Sequence, residues 1–131
     1  MKDIAEHFIN DISKLPKYLY HLVPKEIFNK FKNDAGVYDC RNQVSWGTNE
    51  EFIHTSNSPK ILKNKVADWK WKDMPISEKF VLLKIKTNKI NSKFSFVVYG
   101  EIKYYHIWGG LPSDSFTVVK IERNNDGTFI L

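Results

Sequence analysis

At 131 residues the chain has room for one domain and one core, and a composition of 42% hydrophobic and 15% aromatic residues excludes global disorder. Twenty basic against fifteen acidic side chains give a net charge of +5, mostly lysine spread along the chain, which fits a solvated surface better than a nucleic-acid footprint. Cys40 is the only cysteine, so an intrachain disulfide is excluded and a reducing, cytoplasmic setting is expected.

The first seven residues carry charges where a secretory signal needs an apolar run. No stretch approaches the roughly 20 apolar residues of a membrane helix. Ile4, Phe8, Ile12 and Leu15 recur at helical spacing, which predicts an amphipathic helix over residues 3–15, ended by Pro16. His7 lies one position off that stripe and reads as a surface residue. Tyr18 to Val23 reads as a strand rich in aromatic and branched side chains. Pro24 suits the first position of a helix with Ile27, Phe28 and Phe31 on its apolar face and Gly36 as its stop. Residues 37–50, with Tyr38, Trp46 and Gly47, have no clear period and read as a loop with one short strand, a segment of the kind that forms binding walls, with Tyr38 as the candidate ring.

The segment from Glu51 to Ser56 reads as a strand whose period of two sends Phe52, His54 and Ser56 to one face and Ile53 and Thr55 to the other. An imidazole and a hydroxyl beside an aromatic ring suit a polar ligand. The plainer alternative is a half-buried strand whose His54 is satisfied by a backbone carbonyl. Ser58 and Pro59 then open a helix with Ile61, Leu62, Val66 and Trp69 on its stripe. Trp69-Lys70-Trp71-Lys72 interleaves rings and cations as single-strand nucleic-acid grooves do, although a helix end with solvated lysines accounts for it as well.

Phe80 to Ile85 is nearly continuous in apolar residues and predicts a strand buried on both faces. Phe94 to Tyr99 and Tyr104 to Trp108 follow as strands, the second with Tyr104, His106 and Trp108 on one face. Gly109-Gly110-Leu111-Pro112 closes it as a flexible turn where a ligand could approach the backbone. Phe116 to Glu122 and Thr128 to Ile130 read as the last strands, joined at Asn125-Asp126-Gly127. The order predicts an α+β single domain, residues 1–131, with a mixed, largely antiparallel sheet and an N-terminal helical extension over residues 1–16.

Strand-borne histidines with aromatic neighbours can bind phosphate, ribose or carboxylate, or move protons. No pair of them has the helical or Cys-x-x-Cys spacing that points to zinc, so no metal site is expected. Tyr20-His21, Phe52-Ile53-His54-Thr55-Ser56, Phe80-Val81-Leu82-Leu83 and His106-Ile107-Trp108-Gly109-Gly110-Leu111-Pro112, in this order, resemble the small bacterial domain of unknown function 952 family over residues 18–123. The chain departs from that family's pattern at Glu51, Tyr105, Trp108 and Gly110. The resemblance implies a fold similar to ADP-ribosyltransferases and an NAD-like cofactor. It implies ribose contact at His21, a nicotinamide side lined by His54 and Ser56, and a third motif at His106. Transferases of that fold often carry a catalytic glutamate at the third motif; here the nearest carboxylate in sequence is Glu101.

The leading expectation is therefore a nucleotide-binding, group-transfer site with His54 and His106 catalytic. His21, Ser56, Tyr38, Tyr104 and Trp108 would line the cofactor in one shared cleft. The alternatives are a non-catalytic module for a small ligand or protein, and, behind it, RNA binding resting on the pI of 9.2 and the Trp-Lys alternation.

Overall fold

The computed structural model describes residues 5–42, 51–58, 80–119, 122–123 and 129–130, the last two pairs by their backbone alone. The expected helix from Pro59 with its Trp-Lys end, Trp46, and the turn at Asn125 to Gly127 lie outside the described residues.

The chain starts with a short strand β1 (His7–Ile9) and a 3-10 turn at Ile12–Lys14. β2 (Tyr18–Pro24) and the six-residue helix α1 (Lys25–Lys30) follow. Then come β3 (Ile53–Ser56), β4 (Phe80–Lys86), β5 (Phe94–Tyr99), β6 (Ile102–Ile107) and β7 (Phe116–Val119). These seven form one sheet in the order β1-β5-β6-β3-β2-β4-β7, and every neighbouring pair is antiparallel. A separate two-stranded ladder joins β8 (Glu122–Arg123) to β9 (Phe129–Ile130).

The α+β reading with an N-terminal helix is thus corrected: the described chain is mostly antiparallel sheet with a single short α-helix. Residues 7–9 pair with β5 instead of coiling. Two members of the supposed helical stripe, Phe8 and Ile12, are 51% and 63% exposed, and among its described members only Leu15 packs against the core. The sequence between Pro24 and Gly36 also yields less helix than its apolar face suggests. Pro24 ends β2, and Phe31 caps the helix with its N–H on the Ile27 carbonyl. Asn33 then folds a tight turn, its side-chain oxygen accepting from the N–H groups of Ala35 and Val37. Gly36 sits in that turn at φ +82°, where a side chain would be strained.

Pairing fixes which side chains share a face. Tyr20 faces Ser56, His54 faces His106, and Phe96 faces Tyr105. One face therefore carries Leu19, Val23, Ile53, Leu83, Ile85, Tyr105 and Ile107, and packs against Phe28, Tyr38, Cys40 and Leu111 as the core. Buried polar groups there are paired: Thr55 donates its hydroxyl to the Tyr105 carbonyl at 2.9 Å. β4 is buried on both faces as its apolar run predicts, with Phe80, Leu82, Leu83 and Ile85 all shielded. The other face of the central strands carries His54, Ser56, Tyr104 and His106.

Candidate functional site: a carboxylate and two histidines on one sheet face

Strand β3 delivers His54, and β6 delivers its cross-strand neighbour His106. Directly opposed residues on an antiparallel pair sit close enough for their side chains to touch. Here His54 Nδ1 lies 3.1 Å from His106 Nε2. The other nitrogen of His106, Nδ1, lies 2.7 Å from Oε1 of Glu6, which reaches it from the residue before β1.

Protonation follows from the partners. A carboxylate only accepts, so His106 donates its Nδ1–H to Glu6. In the neutral ring, Nε2 then holds a lone pair and accepts the Nδ1–H of His54. The Nδ1–H of His54 is thereby committed to His106. Glu6, His106 and His54 form one continuous path for a proton, and the carboxylate sets the tautomer of both rings.

Aromatic rings bracket the pair. Phe52 stacks on His106 at 3.8 Å between centroids and 13° between planes, and Tyr104 stacks on His54 at 4.8 Å. Trp108 tilts against both Phe52 and Phe8 and donates its indole N–H to the Ser95 hydroxyl at 2.6 Å. His106 is buried behind this layer at 5% exposure, whereas His54, Phe52 and Trp108 are only partly covered. The accessible imidazole is that of His54.

Of the seven residues singled out from sequence, His54, His106, Ser56, Tyr104 and Trp108 gather on this side of the sheet. Ser56 is fully buried, and its hydroxyl is engaged in a local turn with the Ser58 backbone N–H and carbonyl, both at 3.1 Å. His21 and Tyr38 do not join them. His21 is the odd neighbour of Tyr20, so it points to the core side, where its Nδ1–H donates to the His54 carbonyl at 2.8 Å. Its Nε2 accepts from the Tyr38 hydroxyl at 3.0 Å, and Tyr38 itself is fully buried. Burial holds the His21 pKa down to about 4, against a backbone hydrogen bond that favours the charged form, so the ring is neutral at physiological pH. Burial likewise pushes the Tyr38 phenol well above its ordinary range, with Cys40 and Asp39 adding to it. The single cleft shared by three histidines is therefore not formed. The satisfied core histidine expected as the plain alternative for His54 is His21, bonded to the carbonyl of His54.

The resemblance finds no glutamate at the third motif, and Glu101, the nearest carboxylate in sequence, lies exposed at the β5–β6 turn. The carboxylate that reaches His106 is that of Glu6. Reading residues 3–15 as a helix hid this contact, since only a strand paired with β5 brings Glu6 beside β6. The Gly109-Gly110 turn is closed as well: a side chain at Gly109 would run into Ser92, whose Cβ lies 2.8 Å from the position a Cβ would take.

Among the described residues no three His, Cys, Asp or Glu side chains are gathered as a metal site needs. None of the described helices is long and apolar enough to cross a membrane. No family model, curated protein or solved structure matches the chain.

Proposed function

We propose that the chain binds a small nucleotide against the His54 side of its sheet, with NAD or a related nucleotide as the ligand the motif resemblance favours. The observation that carries the reading is the Glu6–His106–His54 path flanked by the rings of Phe52 and Tyr104. Stacked aromatic groups suit a base or nicotinamide ring. An imidazole whose tautomer is fixed suits a ribose hydroxyl or a phosphate oxygen.

In this reading His54 touches the ligand, while His106 and Glu6 position it. Tyr104 and Trp108 hold the aromatic wall, and Ser56 shapes the strand end. His21 and Tyr38 support the backbone of β3 from the core. The lone buried thiol of Cys40 suits a reducing, cytoplasmic setting. A second reading, group transfer with His54 as general base, is favoured by the carboxylate at the far end of the path, since proton removal through His54 is then stabilised through His106.

Calorimetric titration with NAD, ADP-ribose and AMP tests the proposal. Ligand present at a hundred times its Kd stabilises the fold by about 2.7 kcal/mol, a shift of several degrees in melting temperature. His54→Ala weakens binding by roughly tenfold or more, the loss of one to two charge-assisted contacts. Absence of binding by all three nucleotides to the wild type removes the reading. Binding without turnover of NAD keeps the binding module and removes the transferase.

A further inference from the structure

The opposite face of the sheet carries a second feature, at the edge where β1 meets β5, with β6 next in order. A cavity of about 440 Å³ opens there, floored by Phe96, Lys103 and Tyr105 and roofed by Ile9 and the turn that carries Asp11 and Lys14. Its size falls within the roughly 300–1,000 Å³ of small-molecule sites. Register explains the floor: Phe96 and Tyr105 are a cross-strand pair, and Lys103 is two residues along β6 on the same face.

Tyr105 is 6% exposed and lines the cavity, yet its hydroxyl makes no hydrogen bond among the described residues. Burial also pushes its pKa above the ordinary value, so it is a proton donor at any physiological pH. Lys103 holds its ammonium 4.3 Å from the Phe96 ring centroid, and neither it nor Lys14 has an ion pair among the described residues. The one carboxylate in the wall, Asp11, is committed locally: its Oδ1 accepts from the Ser13 N–H at 3.0 Å and from the Ser13 hydroxyl at 2.7 Å. Those hydrogen bonds, the side-chain one foremost, hold its pKa below the usual carboxylate value. Two cations and one anion leave the wall with a net single positive charge, beside the Phe96 ring and the unbonded Tyr105 hydroxyl.

We propose that this cavity is a binding site for a small organic monoanion, a carboxylate with an apolar body, separate from the nucleotide face. The carboxylate sits between Lys14 and Lys103 and accepts the Tyr105 hydroxyl proton, and the apolar body lies along Phe96 and Ile9. A dianion fits less well, because Asp11 offsets one of the two lysine charges.

Titration of the labelled full chain with benzoate and hexanoate, followed by amide chemical shifts, tests this. The expected result is saturable shifts at Lys103, Tyr105 and the residues around Lys14. Tyr105→Phe removes only an unbonded hydroxyl, so it leaves the fold and melting temperature unchanged and weakens binding about five- to tenfold. Lys14→Met and Lys103→Met each weaken it further and flatten its dependence on salt. His54→Ala leaves it unchanged, so failure here and failure of the nucleotide reading are told apart. No saturable shift with either carboxylate, or undiminished binding by the Lys14→Met/Lys103→Met double variant, overturns the site. Tighter binding of inorganic phosphate or phenyl phosphate than of benzoate overturns the assignment to a monoanion.

Discussion

Desolvation holds the His21 ring neutral down to about pH 4, well below the 6.5 of an exposed imidazole. In the unfolded chain the same ring takes up its proton near pH 6.5. Between those values the unfolded state binds more protons than the folded one, so the contribution is fully present above pH 6.5 and is lost as pH falls towards 4. The whole difference corresponds to roughly 3 kcal/mol. Urea unfolding at steps of pH from 7 to 4 should show this slope, and His21→Gln, which can still bond the His54 carbonyl and Tyr38, should flatten it. An unchanged slope in the variant would assign the loss to other groups. At the same scale, parity within a strand was legible: Phe52 and His54, or Tyr104, His106 and Trp108, fall together because alternate side chains share a face. Parity between strands was not. Whether His21 or Tyr20 joins His54 depends on register, and the observed pairing of Tyr20 with Ser56 chose Tyr20. A shift of one residue would have put all three imidazoles together.

Elements were legible where their own composition decided them. β2, β4, β5 and β6 follow from branched and aromatic runs, and most of their boundaries lie within one or two residues of the expected ones. β1 was not legible, because three residues have no propensity strong enough to set a strand and its partner β5 lies almost ninety residues later. The Ile4, Phe8, Ile12, Leu15 spacing fits a helix, but pairing with an open sheet edge wins over local preference. The Gly109 turn shows the opposite case, where sequence suggested freedom and packing removed it. Trp108 donates its backbone N–H to the Lys93 carbonyl at 2.9 Å, drawing the turn against Ser92. Gly109→Ala should therefore destabilise the fold by about 1–3 kcal/mol as Ser92 is pushed aside. Equilibrium unfolding measures this, and Ser92→Gly in the same chain should recover most of the loss. Full stability of Gly109→Ala alone would show that the turn has room to move.

For the molecule as a whole, both proposed sites hang on the same edge strand. Glu6 precedes β1 and bonds His106 across a hundred residues of chain, while Ile9 at its other end roofs the anion cavity. The contacts within β2, β3, β4, β6 and β7 do not involve β1, and the core packs without it except for Ile9 at the margin. An edge strand of three residues has few hydrogen bonds to hold it, so it belongs to the low-stability part of the fold. Ile9→Asp places a charge against Phe94, its partner on β5, where burial of a carboxylate is unfavourable. The expected outcome is loss of β1 docking with the central sheet kept: backbone amides of β1 and the outer side of β5 exchange faster, and those of β2 and β4 stay protected. Global stability falls by only about 1–3 kcal/mol, the range of a single marginal core substitution. Because Glu6 then leaves His106 and the roof leaves the cavity, nucleotide and carboxylate binding should weaken together in this one variant, whereas His54→Ala and Tyr105→Phe each affect a single site. Loss of protection throughout the sheet would show instead that β1 is integral to the fold. Unchanged binding of both ligands with β1 undocked would separate the two sites from the strand that brings them together.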